Sequence, residues 1–249
     1  MKRTLTLILA VCMLCAAFTA CTPATDDDAG DLTRAEKLAY IKTSGDYPET
    51  LIETAEKCPQ TVDFVYNYPL YKDKIFAIDL SGEAKTREVP LLLQWDERWG
   101  YAVYGDGFIG TCGCGPTCLS MAALYLTGDA RFSPLFVARM AEEKGYCVPG
   151  NGSSWTLISE GCAELGLSAQ ELPLWEQSMK NALDAGEVII LAVGEGDFTS
   201  SGHYLVVSGY SDSGFEIRDP NSRDNSAMTW TYTRLEPQIT NLWSLSRAN

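Results

Sequence analysis

The chain has 249 residues, with 33 aspartates and glutamates against 19 lysines and arginines and a net charge of −14 near neutral pH. That length accommodates one large domain, or one domain with a small accessory piece. So acidic a chain argues against nucleic acid and anionic lipid surfaces as partners, because both repel it.

The first elements are export signals. Met1-Lys2-Arg3 is a short basic region, and Thr4 to Phe18 is almost unbroken apolar sequence. The run is too short to span a bilayer and matches the core of a signal peptide. It ends in Phe18-Thr19-Ala20-Cys21, which resembles the lipobox of bacterial lipoproteins. The resemblance implies cleavage just before Cys21, lipidation of Cys21, and an extracytoplasmic protein held to the bacterial membrane through its N-terminal lipid only. Residues 1–20 are therefore read as a lipoprotein signal peptide. Residues 21–31, small and acidic around Asp26-Asp27-Asp28, are read as a flexible tether. Without Lys2 and Arg3 the remaining chain has 17 basic residues against 33 acidic ones, a net charge of −16. Beyond Cys21 it contains Cys58, Cys112, Cys114, Cys118, Cys147 and Cys162. Export permits disulfides among them, but the sequence leaves their connectivity open.

Leu32 to Lys42 has helical spacing, Tyr47-Pro48-Glu49 opens a second helical stretch, and Val62 to Tyr66 follows it. Residues 32–86 form a mainly helical accessory element, whose apolar faces need covering. From residue 87 to 249 the pattern changes. Val89 to Leu93 is a predicted strand, and Gly115 to Leu126 is a helix introduced by Pro116. Pro134 to Lys144, Trp155 to Leu165 and Trp175 to Ala185 are predicted helices. Strand-like runs follow at Val188 to Val193, Tyr204 to Ser208, Phe215 to Asp219, Thr229 to Tyr232 and Leu242 to Leu245. Helices first and strands later predict an α+β domain with an antiparallel sheet.

Chemistry is constrained by a single histidine, His203. Any Ser-His or Cys-His hydrolase must use it, and a two-histidine metal site is excluded. A zinc site from Cys112, Cys114, Cys118 and His203 fits no common zinc spacing. No glycine-rich phosphate loop is visible, and no cofactor is called for. Cys114 lies just ahead of a helix, where the dipole and the unpaired N–H groups of the first turn favour thiolate over thiol. Gly113 and Gly115 on either side are expected to leave the backbone open to a substrate. Asp219 ends a strand before Pro220, and across a hairpin such as Ser208 to Gly214 it can lie beside His203, where it would accept the ring N–H.

Taken in order, these segments resemble the papain-fold cysteine peptidases, and more closely the branch related to bacteriocin-processing double-glycine peptidases. The segments are Gln94-Trp-Asp-Glu-Arg-Trp99, Gly113 to Thr117, Gly202-His203 and Asp219-Pro220, with Tyr47-Pro-Glu49 and Phe64 to Pro69 upstream. The resemblance implies Cys114 as nucleophile, His203 as general base and acid, Asp219 as orienting residue, and Gln94 with the Cys114 N–H as oxyanion donors. Asn221 is an alternative orienter. Cys114, His203 and Asp219 should then lie within hydrogen-bond reach of one another. The 32–86 element should pack as an accessory piece rather than thread through the cleft. The implied substrate is a peptide or protein. Two other readings share these residues: hydrolysis of cell-wall peptidoglycan by the same fold, and a non-catalytic surface binding module.

Overall fold

Six consecutive apolar residues, Val188–Val193, can be buried together only inside a sheet covered on both faces. In the computed structural model every one of them is buried. The structure describes residues 32–248. The signal peptide, the tether and Cys21 lie outside them. From Thr33 onward the described chain forms one compact unit. Among the described residues no helix is long and apolar enough to cross a membrane.

In chain order the sheet strands are β1 (Leu167–Glu171), β2 (Val188–Val193), β3 (His203–Ser211), β4 (Gly214–Arg218), β5 (Thr229–Trp230) and β6 (Ile239–Arg247). Their spatial order is β1-β6-β2-β3-β4-β5, and every neighbouring pair is antiparallel. The fold is therefore α+β with an antiparallel sheet, as expected. Alternation along β2 divides the core. Val188, Ile190 and Ala192 join one cluster, with Leu119, Ala122 and Ala123 of a long helix; Ile189, Leu191 and Val193 join another, with Met179 and Ala182.

The helices that matter for the site are α1 (Arg34–Thr43), α2 (Glu49–Lys57), α3 (Val62–Tyr66) and α4 (Cys114–Thr127). Helix α1 begins with a capping box, Thr33 and Glu36 each satisfying the other's backbone N–H. Ile41, Leu51, Ala55, Phe64 and Val65 of α1 to α3 bury themselves against Tyr101, beyond the accessory element. Phe64 stacks on Tyr101 with ring centroids 4.4 Å apart, and the Tyr101 hydroxyl donates to the Phe64 carbonyl at 2.8 Å. Helix α4 stops at Gly128, whose φ of 72° is the left-handed cap that glycine adopts without penalty.

Several expected elements differ. Val89 to Leu93 forms no strand. Pro90 has no N–H to give, the Leu92 N–H donates to the Met121 sulfur at 3.2 Å, and the Val89 carbonyl accepts from the Arg218 guanidinium at 3.1 Å. These side-chain contacts take the place of a ladder. Trp155 to Leu165 is not one helix but a turn, Thr156–Ser159, followed by a 3-10 segment, Gly161–Leu165. The break falls at Glu160, just before Gly161, where a Cβ would lie 2.9 Å from the Tyr146 ring. The Thr229 to Tyr232 strand stops at Trp230, since Tyr232 opens a short helix. Strand β1 was not expected. It is an edge strand, largely exposed, so its sequence has no apolar alternation to announce it.

Phe64 tests whether the accessory helices and the sheet fold together. Phe64→Ala should lower the unfolding free energy by about 3–5 kcal/mol, the usual cost of emptying a buried aromatic site. Urea unfolding followed by tryptophan fluorescence and by far-ultraviolet circular dichroism should give one coincident transition, shifted to lower denaturant.

Candidate active site

Helix α4 delivers Cys114. Residues Gly115–Leu124 of the helix are all buried, so the helix runs through the core. Cys114, its first residue, is only partly buried. The thiol is thus fixed by a rigid element and still reachable. The glycines beside it do not serve as expected. A Cβ on Gly115 would sit 2.7 Å from the Ser153 hydroxyl oxygen, and one on Gly113 would sit 2.5 Å from the Ile109 carbonyl oxygen. Both are small because protein packs against them, not to admit a substrate.

The sheet delivers the other two groups. His203 opens β3, paired with Val193 at the end of β2. Strands β3 and β4 pair Val206 with Arg218. The ladder ends there, and Asp219, the next residue, bridges to Ser222 while its side chain reaches His203. The His203 Nε2 lies 2.8 Å from Asp219 Oδ1, with the ring 8% and the carboxylate 1% exposed. With Nε2 engaged, Nδ1 is the nitrogen left for the thiol, and the charge of His203 acts on Cys114. Of the three groups expected to meet, His203 and Asp219 are in hydrogen-bond contact, and Cys114 lies where the charge of His203 acts on its thiol.

Asp219 is satisfied on every side. Oδ1 also accepts the Asn221 N–H at 2.8 Å, and Oδ2 accepts from the Asn225 amide at 2.8 Å. The Asp219 N–H donates to the Ser226 hydroxyl at 2.9 Å. Asn221 does not take the orienting position beside His203. Its backbone serves Asp219, and its side-chain oxygen is buried without a hydrogen-bond partner.

Electrostatics single out Cys114. Burial works against its thiolate. The hydrogen bond and positive charge of His203, with the N–H groups of Tyr204 and Gly115, outweigh that and leave the thiol pKa below its ordinary value. Burial also works against a charged His203, but the attraction and hydrogen bond of Asp219, joined by Cys114, push the ring pKa well upward. The other five described cysteines move the opposite way. Burial raises Cys112 and Cys162 to about 11 and also lifts Cys58, Cys118 and Cys147. All six are free thiols.

Gln94 is 4% exposed. Its Nε2 donates to the Gly110 carbonyl at 3.1 Å, while its Oε1 is buried without a partner. Turning the amide over would set oxygen against the carbonyl oxygen, so the N–H side is fixed toward Gly110. The stretch Tyr101 to Thr111 is a hairpin of Val103–Tyr104 and Gly107–Phe108 followed by a helical turn. Two contributors were not anticipated. Tyr204 acts through its backbone N–H, which any residue after His203 supplies. Asn225 sits in Ser222-Arg-Asp-Asn-Ser226, where Ser222 signals a helix cap but nothing signals its target.

A thiolate beside an imidazolium can attack an electrophilic carbon and return a proton to the leaving group. Among solved structures the chain is similar to the peptidase domain of Streptococcus ComA, a bi-functional ABC transporter of a quorum-sensing pathway. Identity is 21% over 55% of this chain and 93% of that one, with a TM-score of 0.44. It is also similar to a double glycine motif protease from an AMS/PCAT transporter in complex with the leader peptide, at 18% identity over 66% of this chain and 94% of that one, TM-score 0.41. No curated protein matches it. The model of the Peptidase_C39 like family matches residues 86–247, which contain Cys114, His203, Asp219 and Gln94, and the chain belongs to that family.

Proposed function

We propose that the protein is a cysteine peptidase in which Cys114 is the nucleophile, His203 the general base and acid, and Asp219 the residue that orients the ring. One observation carries this reading: the single thiol whose pKa is lowered among six lies beside the only histidine, itself fixed by a buried carboxylate. The thiolate attacks a peptide carbonyl, and the oxygen takes the negative charge. His203 then protonates the departing amine as the carbonyl re-forms, leaving a thioester on Cys114. Water, deprotonated by His203, hydrolyses that thioester and frees the thiolate. Gln94 has two N–H bonds on Nε2 and gives one to Gly110, which leaves one for the oxyanion. The N–H of Cys114 belongs to the unpaired donors of the first turn of α4 and supplies the second. The substrate is a peptide or protein.

The N-terminal segment adds a location. Phe18-Thr19-Ala20-Cys21 supports processing as a lipoprotein, with the peptidase held at the outer side of the bacterial membrane. Expressed in a bacterial host, the full chain should partition into the detergent phase of a Triton X-114 extract, and Cys21→Ser should move it to the aqueous phase.

Activity is tested with a peptide-library digest read by mass spectrometry. Cys114→Ala should show no cleavage, and Asp219→Ala should fall on the order of 10^2-fold, the effect of letting the ring leave its productive position. A digest that proceeds equally with Cys114→Ala would refute the reading.

The pH dependence of alkylation gives a second test that needs no substrate. The thiolate–imidazolium pair exists above the Cys114 pKa, which is lowered, and below that of His203, which is raised to about 10. Iodoacetamide should therefore label Cys114 first among the cysteines at pH 7, with an acid limb below the ordinary thiol range. In His203→Ala the favourable charge is gone and burial is left, so the acid limb should move upward and neutral labelling should slow. The other five cysteines should keep their rates.

A further inference from the structure

A continuous set of hydrogen bonds runs from the Asp219 carboxylate to the N-terminal helices. Asp219 Oδ2, the oxygen not engaged by His203, accepts from Asn225 Nδ2 at 2.8 Å. Asn225 lies in the helical turn Arg223–Ser226. Within the turn, the Asn225 N–H donates to the Ser222 hydroxyl at 3.1 Å, and the Ser226 hydroxyl donates to the Ser222 carbonyl at 2.8 Å. Four residues cannot sustain a helical turn alone, because nucleation fixes more torsions than it makes bonds. The outside support comes from Gln60, between α2 and α3. Its Oε1 accepts the Arg223 N–H at 3.1 Å, and its Nε2 donates to the Ser222 hydroxyl at 3.3 Å. Beside it the Cys58 thiol donates to the Asn221 carbonyl at 3.6 Å, an oxygen that also takes the Trp95 indole N–H at 3.0 Å. Gln60 and Cys58 precede residue 86, where the family match begins.

We propose that Asn225 is a positioning residue for Asp219, and that Gln60 positions Asn225, which makes the N-terminal element part of the apparatus that aligns His203. The proposal rests on the reading of Cys114, His203 and Asp219 as a catalytic set. A carboxylate held through one oxygen can still rotate about its Cβ–Cγ bond. Pinning the second oxygen removes that freedom and fixes the direction from which His203 is held. The Asn225 amide also donates to the charged form of the carboxylate, the form an imidazolium requires. Gln60 contributes by keeping the turn folded, since its two hydrogen bonds reach the residues that start it.

The test uses the full mature chain and two readouts independent of any substrate. One is the labelling rate of Cys114 by iodoacetamide, mapped by mass spectrometry across pH. The other is the titration of the imidazole resonances by NMR, unambiguous because His203 is the only histidine. Asn225→Ala and Gln60→Ala should each slow labelling at pH 7, by about three- to tenfold, and should shift the His203 titration. Gln60→Glu should restore most of the rate, because a carboxylate accepts from both the Arg223 N–H and the Ser222 hydroxyl. Asn225→Asp sets two carboxylates in contact, and they cannot both stay charged at low cost. It should add a step on the acid side of both profiles. The other titratable groups facing Asp219 are His203, Cys118 and Cys58, and both of those thiols titrate above their ordinary range. An added acid step therefore belongs to the carboxylates.

Unchanged labelling and an unchanged His203 titration in Asn225→Ala and Gln60→Ala, in protein that melts like wild type, would overturn the proposal. So would a slowing in Gln60→Ala that Gln60→Glu does not reverse, since that is loss of packing. If Asn225→Ala fails to fold, Asn225→Asp and the Gln60 pair carry the test. Asp219→Asn separates the two levels. If it leaves labelling untouched, the catalytic reading fails and this inference with it. If it slows labelling while the Asn225 and Gln60 variants do not, this inference alone fails.

Discussion

The contact between Asp219 and His203 is the interaction on which the rest of the site depends. A carboxylate 1% exposed has almost no water to solvate it, and removing an ion from water costs several kcal/mol unless donors replace the lost hydration. Three donors do so: the His203 ring, the Asn221 N–H and the Asn225 amide. Taking one away is worse than never having buried the group, because the remaining charge stays where it is. That asymmetry explains why the short segment after β4 is so densely bonded. Ser222, Asn225 and Ser226 make little core, yet Asn225 and Ser226 bond Asp219 directly and Ser222 fixes Asn225.

Rigidity then comes from elsewhere. The thiol stands on a helix buried from Gly115 to Leu124, and the imidazole stands on a strand beside the fully buried β2. A nucleophile and a base carried by separate core elements keep their spacing because neither element can shift without opening the core. The burial that makes this precise also disfavours both charges. The Cys114 charge is therefore sustained by His203, whose own charge is sustained first by Asp219, and that chain sets Cys114 apart from thiols such as Cys112 and Cys162, which burial leaves protonated.

Much of this was legible in the sequence. Six apolar residues in a row at Val188, a lone histidine opening a strand and an Asp-Pro at the end of the next leave little freedom in the centre of the sheet. The register that pairs Val206 with Arg218 depends on a bulge between Val207 and Gly209, which the length of the hairpin does not announce. What was not legible depends on partners distant in sequence. Val89 to Leu93 reads as a strand because its apolar residues are correct for one, but its carbonyl goes to Arg218, a choice no local pattern contains. Gly113 and Gly115 read as openings for a substrate until Ile109 and Ser153 are seen to fill the space. Asn225 carries no signal at all, since an asparagine in a capped turn is ordinary.

The twenty-residue interval from Gln94 to Cys114 is the remaining oddity, and it resolves in three dimensions. Residues 101–109 leave as a hairpin and return to where they began: the Gly110 N–H donates to the Gly100 carbonyl at 2.9 Å, and the Ile109 N–H to the Ala102 carbonyl at 2.9 Å. With that excursion closed on itself, Gln94 is held against Gly110, four residues before the nucleophile. The closure requires Gly100 and Gly110, because the Phe64 ring lies against both: a Cβ on either would fall within 2.7 Å of it. Phe64 belongs to α3, as Gln60 belongs to the junction before it. The N-terminal helices thus press on the site from two directions. Phe64 backs the Gln94 side, and Gln60 backs the turn that holds Asp219. A segment that contributes no reacting group sets the geometry of groups at both ends of the proposed chemistry, because the only way to bury its own apolar faces is against the loops that carry them.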